Sequence, residues 1–197
     1  REQNTTDNPA FYEALIQNYI YKGPVVEWYI RIKVKMEKNY RLFNRLIPVQ
    51  GQITDIGCGF GPLCYMLSLL SEDREILGNA LEYPLPESDV FILNDMLHYM
   101  SYEHQQTLLL KCAGRLRSQG MIIIRDGNSA NASKHRLTRF TELLSTRIFN
   151  FNRTTGELYF TTETQLREIA VTCGMAVEII PNDKYTSNTI YIFRKPN

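Results

Sequence analysis

The stretch that most constrains this chain is Asp55-Ile56-Gly57-Cys58-Gly59-Phe60-Gly61, set between the short apolar run Ile53–Ile56 and a helix opened by Pro62. Glycines at alternate positions let the backbone turn sharply and approach a ligand, and a helix N-terminus directly behind them favours negative groups. A loop of this kind joins a buried strand to the helix that covers it. The chain downstream keeps that rhythm, with strands expected at Glu75–Gly78, Asp89–Leu93 and Met121–Ile124 and a helix at about Tyr102–Arg117. Strands alternating with helices mean an α/β fold, a doubly wound, mostly parallel sheet with helices on both faces. Thr162-Glu163-Thr164-Gln165 has the form of a capping box opening a further helix, which Gly174 ends. The last two strands, Val177–Ile180 and Thr189–Phe193, flank a short loop that suits an antiparallel pair better than a parallel crossover.

Ahead of the sheet, apolar residues at helical spacing predict one helix over residues 9–20 and a second from Pro24 to about Leu46. These two helices make residues 1–48 a cap on a domain spanning 49–197. Tyr12, Tyr19, Tyr21, Trp28 and Tyr29 give the cap a high aromatic density, suited either to a lid over a bound molecule or to packing on the sheet. Arg31, Lys35, Lys38 and Arg45 line one side, which reads as a solvated face or as a dock for an acidic carrier protein or an anionic surface. A further helix is expected at His135–Phe149.

One interval is too short for this architecture. Between Gly78 and Asp89 the chain has only Asn-Ala-Leu-Glu-Tyr-Pro-Leu-Pro-Glu-Ser, and Pro84 and Pro86 forbid a helix. A crossover between parallel strands needs at least ~10–12 residues including its helix. The expectation is therefore a helix and a strand between Gly78 and Asn79 that this sequence does not contain, or else a deletion that shortens the sheet.

Composition narrows the function. The 197 residues carry 22 Lys+Arg against 21 Asp+Glu, a net charge of +1 that disfavours a nucleic-acid-coating protein. With 44% hydrophobic residues the chain can bury a core. Cys58, Cys64, Cys112 and Cys173 form no CxxC pair and no zinc-type spacing, so neither a disulfide framework nor a metal is expected and the setting reads as reduced and cytoplasmic. In that setting the sequons at Asn4, Asn131 and Asn152 carry no meaning. No apolar run approaches the ~20 residues of a membrane span, and the first residues show no signal-peptide pattern. The chain does not begin with Met, so we expect a fragment of a longer protein, with fused neighbouring domains, or a trimmed terminus.

The spacing GxGxG, with an acidic residue two positions before the first glycine, separates this loop from the GxGxxG of nicotinamide-binding proteins. A carboxylate there would repel a pyrophosphate and could receive an ammonium group. In these residues the chain resembles the class I S-adenosylmethionine-dependent methyltransferases, whose fold is Rossmann-like. Asp55–Gly61 looks like their first motif, and the similarity runs from Gln52 to Phe193. Asn79–Pro86 resembles the loop that holds the adenine. Asp89–Tyr99 looks like the fourth strand and its substrate-facing turn. Arg115–Ile124 resembles the turn into the fifth strand, with Ser118-Gln119 in place of the usual Pro-Gly. The family's ribose-binding acidic residue would fall just beyond Gly78, where none stands.

The resemblance implies S-adenosyl-L-methionine as cofactor, bound by Asp55, Gly57, Cys58, Gly59, Gly61, Asn79, Ala80, Asn94, Asp95 and Met96, with no metal. His98 and Asp95 are the candidate general bases, although a His in such a turn can also merely cap the next helix. Tyr99 and Tyr185 are candidates for orienting a substrate, Lys22 for meeting the cofactor carboxylate, and His104 and His135 read as surface residues. The turn Leu93-Asn94-Asp95-Met96 lacks the Asn/Asp-Pro-Pro-Tyr/Phe motif of enzymes that methylate adenine or glutamine nitrogens. The pattern is most similar to small-molecule enzymes of the ubiquinone/menaquinone-methylating kind, acting on an aromatic, quinone or lipid-like acceptor. Two alternatives stand beside it: a non-catalytic interaction module that keeps the fold, and an NAD(P)-dependent oxidoreductase.

Overall fold

The computed structural model describes residues 8–36, 39–78, 84–127, 158–180 and 188–196. Asn79, Ala80, Tyr185, His135 and the helix expected at His135–Phe149 lie outside the described residues.

Three helices precede the sheet: α1 (Pro9–Gln17), α2 (Pro24–Met36) and α3 (Tyr40–Leu46), with a short 3₁₀ turn at Ile20–Lys22. The single helix expected from Pro24 to Leu46 is thus two. The apolar period continues across the break, so periodicity alone cannot see it. Asn8 caps α1 through its side chain, which accepts from the Ala10 amide at 3.0 Å.

The sheet follows: β1 (Gly51–Ile56), α4 (Pro62–Leu70), β2 (Arg74–Gly78), β3 (Ser88–Asn94), α5 (Tyr102–Arg115), β4 (Leu116–Gly127), α6 (Glu163–Thr172), β5 (Ala176–Ile180) and β6 (Asn188–Arg194). Spatially the order is β2-β1-β3-β4-β6-β5. The first four strands are parallel, while β6 runs antiparallel to both β4 and β5. The expected α/β class, the parallel half and the reversed C-terminal pair are all present. The Thr162 capping box is present as well, with both of its reciprocal bonds.

Strand alternation sorts the core. Ile53, Val90, Ile92, Met121 and Ile123 point to one face, where they meet α4 and the apolar sides of α1–α3 through residues such as Leu15, Ile30, Tyr40 and Phe43. Phe91, Leu93, Ile122, Ile124 and Phe193 point to the other, against Leu109 and Cys112 of α5 and Leu166 and Ile169 of α6. Buried Arg74 pins α3 to the sheet. Its guanidinium donates to the Pro48, Leu67 and Ile47 carbonyls at 2.8, 3.2 and 3.1 Å, answering backbone acceptors at the ends of α3 and α4.

Among the described residues β2 has no outer neighbour, and only residues 79–87 carry the chain from β2 past β1 to β3. No described residue forms the helix and strand expected in that interval.

Candidate functional site

Asp55, Gly57, Cys58, Gly59, Gly61, Asn94, Asp95, Met96 and His98 collect at the carboxyl ends of β1 and β3, where open α/β sheets bind ligands. Register brings them together: Asp55 stands opposite both Gly78 and Ile92, and Asn94 opposite Arg125.

Asp55 ends β1 with its side chain buried. One carboxylate oxygen, Oδ2, accepts from the Cys64 thiol at 3.0 Å, while Oδ1 is buried without a hydrogen-bond partner. Burial pushes the carboxyl up to about 7, against the opposing pull of the Cys64 hydrogen bond and the Lys33 charge. Gly57, Gly59 and Gly61 then take φ of 72°, 59° and 70°, the left-handed region that favours glycine. A side chain on Gly57 would press against Met96 at 3.2 Å, whereas the space beside Gly59 is open to 4 Å. The loop closes through the Gly61 amide, which donates to the Cys58 carbonyl at 2.9 Å.

The cap covers this loop. Tyr19 donates its hydroxyl to the Phe60 carbonyl at 3.1 Å, and the Tyr29 and Phe60 rings meet edge to face at 6.3 Å. Tyr21 and Trp28 instead face solvent, so only part of the aromatic cluster serves the loop. Lys22 is exposed over the Tyr21 ring, 5.0 Å from its centroid. The lysine that does reach the site is Lys33, whose Nζ lies 3.8 Å from Asp95. The basic side of the cap is partly neutralised, because Arg31 bonds both Glu13 and Glu27.

Asp95 follows β3 with φ 55° and forms a close ion pair with buried Arg125 of β4. Burial raises its carboxyl, but Arg125, Lys33 and His98 outweigh that and hold it below the ordinary range. Asn94 accepts from the same guanidinium at 3.5 Å, and Met96 is buried against Gly57.

Beyond Met96, His98 is almost fully buried and held on two sides by Asp126 at the end of β4. Its amide donates to Asp126 Oδ2 at 3.1 Å, and its Nδ1 meets Oδ1 at 2.5 Å. Phe160 stacks on the imidazole at 5.2 Å. His98 does not cap α5, since the His104 amide bonds the Ser101 hydroxyl instead. His104 is a surface residue, as its position near a helix start implies.

Arg125 and Asp126 were not among the expected site residues. The signal was there: a charged doublet directly after the apolar run Met121–Ile124 falls at a strand's carboxyl end. Cys64 and Lys33 could not be found this way, because the helical turn and the cap geometry that aim them at Asp55 and Asp95 are tertiary. Among the described residues no cluster of His, Cys, Asp and Glu could hold a metal ion.

The strand order, the reversed last strand and the glycine loop define the Rossmann-like fold of S-adenosylmethionine-dependent methyltransferases. Solved structures share this fold. Human N-acetylserotonin methyltransferase in complex with S-adenosylmethionine is 17% identical with a TM-score of 0.60, covering 92% of this chain and 59% of that one. Magnesium protoporphyrin IX methyltransferase of Synechocystis, with bound S-adenosylhomocysteine, is 14% identical with a TM-score of 0.59, covering 88% of each chain. An O-methyltransferase candidate from Nostoc punctiforme is 16% identical with a TM-score of 0.61, covering 86% and 59%. The chain thus spans about three fifths of the length of the human and Nostoc proteins. No protein-family profile matches it, and no curated protein matches its sequence.

The residues present fit the methionyl end of such a cofactor. Asp55 Oδ1 is a buried acceptor awaiting a donor, and the open side of Gly59 leaves room for a ligand against the backbone. At the ribose end, no acidic side chain stands at the carboxyl end of β2 among the described residues.

Proposed function

We propose that this chain is an S-adenosylmethionine-dependent methyltransferase acting on a small-molecule acceptor. The observation that carries the reading is the orphaned Asp55 oxygen beneath a left-handed glycine loop, one strand away from a buried His–Asp pair. The cofactor, when bound, supplies an electrophilic methyl group on a sulfonium. Asp55 would receive its ammonium, Gly57, Gly59 and Gly61 would let it lie against the backbone, and Asn94, Asp95 and Met96 would line its pocket with Cys58. Asn79 and Ala80 remain proposed adenine contacts.

Of the two candidate bases, His98 suits proton removal better. Asp126 on Nδ1 orients the ring and stabilises it once protonated, which makes Nε2 the nitrogen that takes the acceptor's proton. Asp95, ion-paired and held ionised, is a weak base and serves to fix Arg125 and Lys33 at the site. The remaining contribution is alignment of the reactants. Residues 1–48 act as a cap on residues 49–197, and we assign the protein to the cytoplasm, a reducing setting that suits four cysteines without disulfide or zinc spacing. The human and Synechocystis neighbours act on N-acetylserotonin and magnesium protoporphyrin IX, both aromatic, which favours an aromatic, quinone or lipid-like acceptor here. Docking to an acidic carrier protein is the weaker proposal, given the Arg31 pairs.

Calorimetric titration with S-adenosylhomocysteine beside NADH tests this. Micromolar binding of the first alone is expected. With a turned-over acceptor in hand, His98→Gln should retain that binding and lose transfer. Binding of NADH alone would make the chain an oxidoreductase, and cofactor binding without turnover on any acceptor would make it a non-catalytic interaction module.

A further inference from the structure

The two cysteines of the glycine loop and its helix converge on one point. Were Gly78 to carry a Cβ, the Cys58 sulfur would lie 2.8 Å from it and the Cys64 sulfur 3.8 Å away, so the bare glycine at the end of β2 makes the space in which the two thiols meet. The Cys58 thiol donates to the Gly59 carbonyl at 3.7 Å. Both thiols are reduced and half-buried, within reach of solvent at the mouth of the site. Cys64 also donates to Asp55, so the pair is wired to the carboxylate that the proposed cofactor needs.

We propose that Cys58 and Cys64 form a reversible disulfide across the glycine loop, with hydrogen peroxide as the oxidant, and that this bond shuts the ligand site. The inference about ligand binding rests on the cofactor reading above; the bond itself does not. Cys58 releases its proton to solvent and attacks a peroxide oxygen as thiolate; the O–O bond breaks, a sulfenic acid forms, and the hydroxide released takes that proton back and leaves as water. The Cys64 sulfur then attacks the Cys58 sulfur as Asp55 Oδ2 takes the Cys64 proton. The S–O bond breaks, and the departing hydroxide takes up a proton and leaves as water. Two thiols and one peroxide become one disulfide and two waters. Cys64 already donates to Asp55 Oδ2 at 3.0 Å and so has a carboxylate beside it to take its proton, which makes it the thiol that resolves the sulfenic acid. Closure draws the Cys64 sulfur off Asp55 and tightens the turn from Gly59 to Leu63, where the ligand would lie.

Peroxide treatment of the reduced full chain, followed by alkylation and tryptic mass mapping, reads the bond directly, because cleavage after Arg45 and Arg74 leaves both cysteines in one peptide. The expected product is that peptide unalkylated at both positions and lighter than the reduced form by two hydrogens. Dithiothreitol should reverse it, and affinity for S-adenosylhomocysteine should fall about tenfold or more while the bond persists. Cys58→Ser should form no bond, and peroxide should leave that variant's affinity where it was before treatment. Oxygen added to Cys58 with Cys64 still alkylated, or a bond between Cys112 and Cys173 alone, overturns the proposal. So does an equal peroxide response in Cys58→Ser. A reduced chain that binds no S-adenosylhomocysteine overturns the cofactor reading instead, and the mass map still decides the disulfide.

Discussion

Asp55 is a buried carboxyl with one oxygen, Oδ1, that the fold leaves without a partner. Its carboxyl ordinarily titrates near 3.8 and is raised by burial to about 7. Well below its ordinary 3.8 it is protonated folded or unfolded, and no stability is lost. As pH climbs toward 7 the unfolded chain ionises freely while the folded one resists, so stability falls across that interval and levels off above it. Asp55→Asn removes the group, and thermal unfolding from pH 5 to 8 should show a flatter decline in Tm than in the parent. A ligand ammonium reverses the balance, because it favours the ionised carboxylate. The Tm gain from S-adenosylhomocysteine should therefore be larger at pH 8 than at pH 6 in the parent, and lose that dependence in the variant. Asp55 and His98 stand out in the sequence by type and position. That His98 is gripped by Asp126, and that Asp95 is engaged by Arg125 and Lys33, depends on which strands lie side by side.

The first residues of β4, Leu116–Gly120, show what an element adds. Ser118-Gln119 replaces the Pro-Gly of the resembling family, and the change looks confined to a turn. In the fold Gln119 takes φ 62°, the left-handed conformation glycine would adopt freely. Gly120 cannot accept a side chain at all, since a Cβ would meet the Asp89 carbonyl at 2.8 Å and Leu116 at 2.7 Å. Gln119→Gly should consequently stabilise the protein by roughly 1 kcal/mol, measured by urea denaturation, with S-adenosylhomocysteine affinity unchanged. The same scale explains the missed break between α2 and α3. The apolar stripe runs on from α2 to α3, and the far end of α3 is fixed by a residue distant in sequence, Arg74 of β2.

For the whole molecule, the unusual feature is a sheet whose described edge is β2. An open edge invites pairing, and the interval from Gly78 to Ser88 is short for a crossover. We propose that the sheet is shortened at this edge, since the 197 residues join Gly78 directly to Asn79 with no further helix and strand between them. Tryptic mapping of protein from its native source should then return one peptide from Glu75 to Lys111 with the mass this sequence gives. A heavier peptide there would mean that a further helix and strand stand between Gly78 and Asn79. Local order is what the sequence determines by itself: the period-2 and 3.6-residue patterns, the capping box and the glycine loop specify strands, helices and their alternation. They do so because each depends on residues within a few positions of one another. Strand neighbours, the sharing of one core by α1–α3 and the sheet, and the meetings of Asp126 with His98 and of Cys58 with Cys64 beside Gly78 are decided only in three dimensions. There burial and register select contacts that no local pattern encodes.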